Sequence, residues 1–209
     1  METRRIFGVA LVLAVLGGLL THPQVQTGEW LPRVLLAACV GGTLAVVGAS
    51  FQVILRNPLA EPYTLGITGG ASVGAVLAIL FPVLQFSWSV FSSVQLFALA
   101  GSFAILMMIY SMARRPEGIA VYTLLLAGVT LSIISAGAVM FFRYVASPNY
   151  LVQMDRWMMG GLDVIGYREL AALFPLLFPG LGILFSCMVE LNHLALGEDL
   201  ALGHGVDVP

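Results

Sequence analysis

Long apolar runs, each closed by charge, proline or a polar cluster, set the pattern of this chain. An apolar run of about 20 residues is the length of an α-helix that crosses the hydrocarbon core of a bilayer. Such runs cover residues 6–20, 33–55, 64–82, 91–112, 119–142 and 170–189. The pattern predicts an all-α, polytopic transmembrane helical bundle of about six spans. At about 22 Å, the first run is short for a hydrophobic core of about 30 Å and reads as a short or tilted helix. Two arginines before a short apolar stretch also describe a signal peptide, yet Leu19-Leu20-Thr21-His22-Pro23 offers no small-residue cleavage site.

The stretch 146–169 differs in kind. It mixes Pro148, Asn149, Asp155, Arg156 and Asp163 with Trp157, Met158 and Met159. Too charged for lipid and too apolar for a solvated loop, it predicts a short helix lying at the outer interface, with Trp157 at headgroup level. Orientation follows the arginines. With the N-terminus in the cytoplasm, Arg4, Arg5, Arg56, Arg114 and Arg115 lie inside, and Arg33, Arg143, Arg156 and Arg168 outside. The short loop holding Arg114-Arg115 is the strongest vote for this arrangement. It gives a transmembrane region over residues 1–190 and a cytoplasmic segment over 191–209.

Composition agrees. Of 209 residues, 59% are hydrophobic and 10% charged, against roughly 25% charged in a soluble domain. Such a surface faces membrane lipid. All nine basic residues are arginine, and none forms a stripe that would follow a phosphate backbone, so nucleic acid is not an expected partner. The two cysteines, Cys39 and Cys187, fall at different membrane depths and are not expected to pair.

Within lipid, helices pack through small residues and occasional polar contacts. Gly41, Ala45, Gly48 and Gln52 share one face of the second run, and Gly128, Ser132 and Ser135 one face of the fifth. In the third run, Gly70 and Gly74 sit within the dense string Thr68–Ala75. These faces predict helix packing; for the fifth run a second reading is the wall of a pathway. No ionisable residue falls in mid-span, which argues against a proton-driven carrier and points to energy supplied by another subunit. Gly70-Ala71-Ser72-Val73-Gly74 matches a hydrolase elbow, but it lies in a helical run with no histidine near. Glu190 and His193 lack further metal ligands nearby, and no phosphate-binding loop occurs. No catalytic residue, metal site or cofactor is expected.

Four strings in order carry a resemblance. Leu31-Pro32-Arg33 runs into Gly41–Gln52; Arg56-Asn57-Pro58-Leu59-Ala60-Glu61-Pro62 precedes Leu65–Ala71. Leu124-Leu125-Leu126-Ala127-Gly128-Val129 is followed by Trp157-Met158-Met159-Gly160-Gly161; Leu191-Asn192-His193-Leu194-Ala195-Leu196-Gly197-Glu198 comes last, with Leu202-Gly203 after it. Together they resemble the permease subunits of ABC importers for iron-siderophores, haem and cobalamin, over about residues 30 to 209.

The resemblance implies an inner-membrane permease that dimerises around a central pathway. A separate ABC ATPase subunit would dock on its cytoplasmic face and an extracytoplasmic substrate-binding protein on its outer face. It gives Leu194, Ala195, Leu196, Gly197, Glu198, Leu200, Ala201 and Gly203 the role of a cytoplasmic coupling helix. Of a family pair of arginines that meets the binding protein, only Arg33 is present, Trp30 standing at the other position. Because the family's fifth helix lines the pathway, the resemblance makes Gly128, Ser132 and Ser135 pathway candidates. Family members carry about ten spans, and this chain stops just past the coupling region. It is expected to be the first half of that fold, needing a second permease copy or the missing permease half, and not to transport alone. A non-transporting fragment and a polytopic membrane enzyme are the competing readings.

A reporter cysteine placed within residues 191–209 is expected to resist membrane-impermeant labelling in intact cells and to react once they are permeabilised. Labelling from outside would overturn the topology.

Overall fold

The structure, a computed structural model, describes residues 30–63, 65–88, 91–116, 118–161 and 167–195. The run 6–20 and the tail from Leu196 onward lie outside the described residues. Seven helices occupy what is described: α1 (Trp30–Ile54), α2 (Ile67–Leu80), α3 (Ser93–Ala113), α4 (Val121–Val145), α5 (Pro148–Met159), α6 (Tyr167–Ser186) and α7 (Met188–Ala195). Three are long and apolar enough to cross a bilayer: α1 over Leu31–Ile54, α3 and α4. Leu173–Ser186 of α6 and all of α7 meet the same test together, across a bend of 53°.

The third apolar run gives a shorter helix than its length predicts. α2 has 14 residues, about 21 Å at 1.5 Å per residue. Gly66 opens it at φ 73, a left-handed conformation that favours glycine. Phe81, in extended backbone, and the 3-10 turn Pro82–Leu84 close it. A capping box starts α3: the Ser92 N–H donates to Gln95 Oε1 at 2.9 Å, and the Gln95 N–H donates to Ser92 Oγ at 3.4 Å. Pro148 stands in the first turn of α5, where its missing N–H costs nothing. Two short hairpins not foreseen from hydropathy flank α3. The first pairs β1 (Ser87–Trp88) with β2 (Phe91–Ser92), the second β3 (Arg114–Arg115) with β4 (Gly118–Ile119).

Glycine contacts assemble the main body. α2 and α3 run antiparallel so closely that a Cβ on Gly70 would overlap the Gly101 carbonyl and one on Gly74 the Phe97 carbonyl. Reciprocally, a Cβ on Gly101 would strike the Gly70 carbonyl. Along its other side α2 meets α4 in parallel: a Cβ on Gly66 would lie 2.8 Å from the Gly128 carbonyl, and one on Gly69 2.9 Å from Ser135 Cβ. At the far end of this seam Val76, Ile79, Val139 and Met154 form a buried cluster, with Tyr150 and Trp157 of α5 packed on it.

A second group joins α1 to α6 and α7. Leu36 and Leu170 are buried together, with Cys39, Leu173 and Phe174 around them. The link between the groups is the turn after α1. There Leu55, Ala60 and Leu65 pack under Leu124 and Leu125 of α4. Asn57 shapes that turn: its Oδ1 accepts from the Leu59 N–H at 3.0 Å, and its carbonyl accepts from the Ala60 N–H at 3.0 Å. The Asn-Pro-Leu-Ala string is thus an Asx turn that sets a buried alanine.

One expected packing face stays open. Nothing lies within 4 Å of a Cβ built on Gly41 or Gly48, and Gln52 is exposed. The Gly41, Ala45, Gly48, Gln52 face of α1 therefore makes no helix contact within the described residues, and α1 packs through Leu36 and Cys39 instead.

Filling the seam and filling the open face should differ. Gly74→Leu is expected to destabilise the protein by at least about 1–3 kcal/mol through overpacking. Gly41→Leu should leave the unfolding midpoint of the purified chain in detergent nearly unchanged. Equal losses at the two positions, measured by thermal unfolding, would contradict the close α2–α3 approach.

Candidate functional site

Where α2 and α4 meet through Gly66, Gly69, Gly128 and Ser135, their outward sides leave a groove of about 620 Å³. Thr68, Gly69 and Ser72 line it from α2, and Ser132, Ser135 and Ala136 from α4. The spacing of four between Thr68 and Ser72 puts both hydroxyls on one helix face. Each bonded hydroxyl finds its acceptor on its own helix: Ser72 Oγ donates to the Thr68 carbonyl at 2.9 Å, and Ser132 Oγ to the Gly128 carbonyl at 2.9 Å. Such hydroxyls need no further partner in a membrane, so they add polar points without charge to a wall that Ala136, Val139 and Met140 keep largely apolar. Tyr63 stands at one end of the groove, Arg143 and Met158 at the other.

The arginine end carries an ion pair. Arg143, in the last turn of α4, donates from Nη1 to Asp155 Oδ1 of α5, and the same nitrogen approaches Met158 Sδ at 3.9 Å. The two charged side chains are 34% and 43% exposed. A pair this open is worth about 0–1 kcal/mol in water. Arg143 and Met158 line the groove, whereas Asp155 does not.

The expected pathway residues divide. Ser132 and Ser135 line the groove. Gly128 sits deeper, buried, with its carbonyl against Gly66. Ser72, at the centre of the hydrolase-like string, lies mid-helix on α2, not at a strand-to-helix elbow. Thr68, Ser72, Tyr63 and Arg143 were not singled out as groove residues by sequence. The hydroxyl spacing on α2 was a readable signal; the Arg143–Asp155 pair was not, because it spans a turn between two helices.

Arg33 is half-buried in the first turn of α1. Of the expected coupling residues, Leu194 and Ala195 end α7, beyond the 53° bend. Leu196, Gly197, Glu198, Leu200, Ala201 and Gly203 lie outside the described residues. A smaller apolar cavity of about 200 Å³ separates α1 from this bend, bounded by Ser50, Val53, Phe185 and Met188. At the Trp157 end of α5 another cavity, about 610 Å³, is lined by Gln95, Gln153, Arg156 and Gly160. Cys39 and Cys187 are free thiols. Among the described residues, no cluster of three or more His, Cys, Asp or Glu could hold a metal ion.

Comparison with known proteins places these features. The model of the FecCD transport family matches residues 9–209. The cobalamin import system permease protein BtuC of Halobacterium salinarum is 36% identical over 178 residues, covering 85% of this chain and 47% of that protein. The vitamin B12 import system permease protein BtuC of Escherichia coli O157:H7 is 35% identical over 210 residues, covering 91% of this chain and 61% of the relative. The chain thus spans about half to three fifths of the length of these relatives. A solved structure described as a metal-chelate type ABC transporter in an inward-facing conformation superposes with a TM-score of 0.75 at 26% identity, over 99% of this chain and 68% of the other.

The parallel α2–α4 register is directly testable. With Cys39 and Cys187 replaced, Gly69→Cys combined with Ser135→Cys should form an oxidant-induced cross-link, their Cβ positions being in contact. Gly41→Cys combined with Ser135→Cys should not. Failure of the first pair to cross-link, read as gel mobility after proteolysis between the two sites, would contradict the register.

Proposed function

The chain belongs to the FecCD transport family, and from that membership we propose that it acts as a permease subunit of a binding-protein-dependent ABC importer. Its cargo on this reading is a metal chelate of the iron-siderophore, haem or cobalamin type. The observation that carries the proposal is the groove of about 620 Å³ along α4. Between its ends it is lined by neutral hydroxyls, small residues and apolar groups, on the helix whose Leu-Leu-Leu-Ala-Gly string resembles the family's pathway helix. Walls of this kind let a large polar cargo slide, because no fixed charge on α2 or on the middle of α4 traps it. Ser132 and Ser135 are the wall residues from α4, with Gly128 setting how closely α2 approaches.

Energy comes from a separate ATPase. The sequence holds no phosphate-binding loop, and α7 delivers Leu194 and Ala195 away from the α6 axis by a 53° turn. A short helix held at such an angle works as a lever: seated in a groove of the ATPase, it carries nucleotide-driven closure to the membrane helices. Leu196, Gly197, Glu198, Leu200, Ala201 and Gly203 continue that docking segment. On the opposite face Arg33, half-buried in the first turn of α1, offers a contact to the binding protein. The open face of Gly41, Ala45, Gly48 and Gln52 favours a further element of the reading. α1 receives another permease helix there, from the rest of the permease or from a second copy, because glycine faces in lipid are packing surfaces.

Gly197→Trp combined with Glu198→Lys should reduce co-purified ATPase to background while the chain still inserts in the membrane. ATPase retention equal to the unmodified chain, measured by affinity capture from solubilised membranes, would overturn the docking assignment.

A further inference from the structure

The groove has a sign. Its wall along α2 and the middle of α4 holds only hydroxyls, glycine, alanine and apolar groups, and among the described residues no carboxylate lines it. Among the described residues its one charged lining residue is Arg143, at the α5 end. Asp155, which pairs with Arg143 from α5, is not part of the lining. The ion pair is therefore oriented, cation toward the groove and anion behind it. The guanidinium is also incompletely used. Among the described residues its contacts to Asp155 and Met158 both come from Nη1, whereas an arginine offers five N–H donors in a fork that fits a carboxylate or phosphate. With both partners more than a third exposed or nearly so, Asp155 holds the guanidinium in place without sealing it off.

We propose that Arg143 makes this groove anion-selective and recognises the cargo through a carboxylate or phosphate oxygen, so that the chelate enters as an anion or presents an anionic arm. The inference rests on the groove being part of the transport pathway, and it adds the substrate's charge class and the residue that reads it. Asp155 is a positioning residue: it aims Arg143 from a second helix and yields part of the fork to the cargo. A lipid headgroup phosphate offers the same chemistry at the same depth, and the experiment separates the two sources.

The test uses the full chain in phosphatidylcholine nanodiscs, with Cys39 and Cys187 replaced and Ala136→Cys as reporter in the groove. Ala136 is exposed and lines the groove, two helical turns or about 10 Å from Arg143. Modification rates are compared for a sulfonate-bearing (anionic) and a trimethylammonium-bearing (cationic) methanethiosulfonate reagent, each normalised to its rate with a free thiol. A lone positive charge at this distance would give an anion preference of about three- to fivefold at low salt; the paired Asp155 carboxylate offsets part of it, so a preference of up to about twofold is expected. Arg143→Gln, which leaves the Asp155 carboxylate in place, should abolish or reverse it; Arg143→Lys should preserve it, and Asp155→Asn, which removes the offsetting anion, should raise it to about three- to fivefold.

Equal rates for the two reagents in the unmodified background would overturn the role of Arg143 while leaving the pathway intact. Loss of the preference in Asp155→Asn as well would also overturn it, since helix placement and not the cation would then be the cause. A preference present in detergent but absent in nanodiscs would overturn it by making lipid phosphate the arginine's ligand. If neither reagent reaches Ala136→Cys, the groove is not water-accessible, and the pathway reading itself fails with the inference.

Discussion

Inside a bilayer no hydrophobic force draws one helix to another, so α2 and α3 are held by the backbone-to-backbone approach that glycine alone permits. Gly70 and Gly74 on one helix and Gly101 on the other bring carbonyl oxygens where any side chain would stand. Dispersion gains over such a contact are individually small and accumulate along its length. The same contact fixes the axial position of α2, and with it everything that α2 touches. Gly66 and Gly69 then meet Gly128 and Ser135, which sets the register of α4. α5 closes the end of this seam over Val76, Ile79 and Val139.

The groove is a by-product of that economy of volume. Two helices that meet through glycine and serine cannot fill the space beside their contact, and what remains is walled by whatever lies one step around each helix. On α2 these are Thr68 and Ser72; on α4, Ser132 and Ala136. Hydroxyls bonded to their own helix carbonyls tolerate both lipid and water. Packing and pathway are therefore not competing explanations for the small residues of α4. Ser135 takes part in both the helix contact and the groove wall, touching the Gly69 position with one side and the groove with the other.

How much of this was legible in the sequence depends on whether the cause is local. The apolar runs gave the all-α membrane character, because length and hydropathy are properties of a segment by itself. Gly70 and Gly74 could be read as a packing surface from their spacing of four. Gly41 and Gly48 have a similar small-residue signature, yet they meet nothing among the described residues; spacing announces a surface and does not say which chain covers it. The shortened α2 was hidden because Gly66 and Phe81 sit inside the apolar run, where hydropathy does not mark the left-handed and extended backbone that bounds the helix. The hairpin of Arg114–Arg115 with Gly118–Ile119 was hidden for the opposite reason: a charged turn reads simply as a loop. Arg143 was visible only as one outer arginine among four. Its partner Asp155 lies twelve positions on in the sequence, across the turn after α4.

That last pairing bears on how such a protein combines passage with selection. A charge buried in mid-span would hold a cargo too tightly and cost desolvation on every cycle. A charge at the rim, half in water and steadied by a weak partner, imposes a sign on what enters and leaves the interior neutral. Asp155 suits this position because it comes from α5, a helix that packs on the α2–α4 seam through Met154 and Trp157. Any shift of α5 then changes how firmly Arg143 is held. The rim residue is thereby coupled to the same apolar cluster that closes the glycine seam, so selection at the mouth and packing at the centre share one set of contacts.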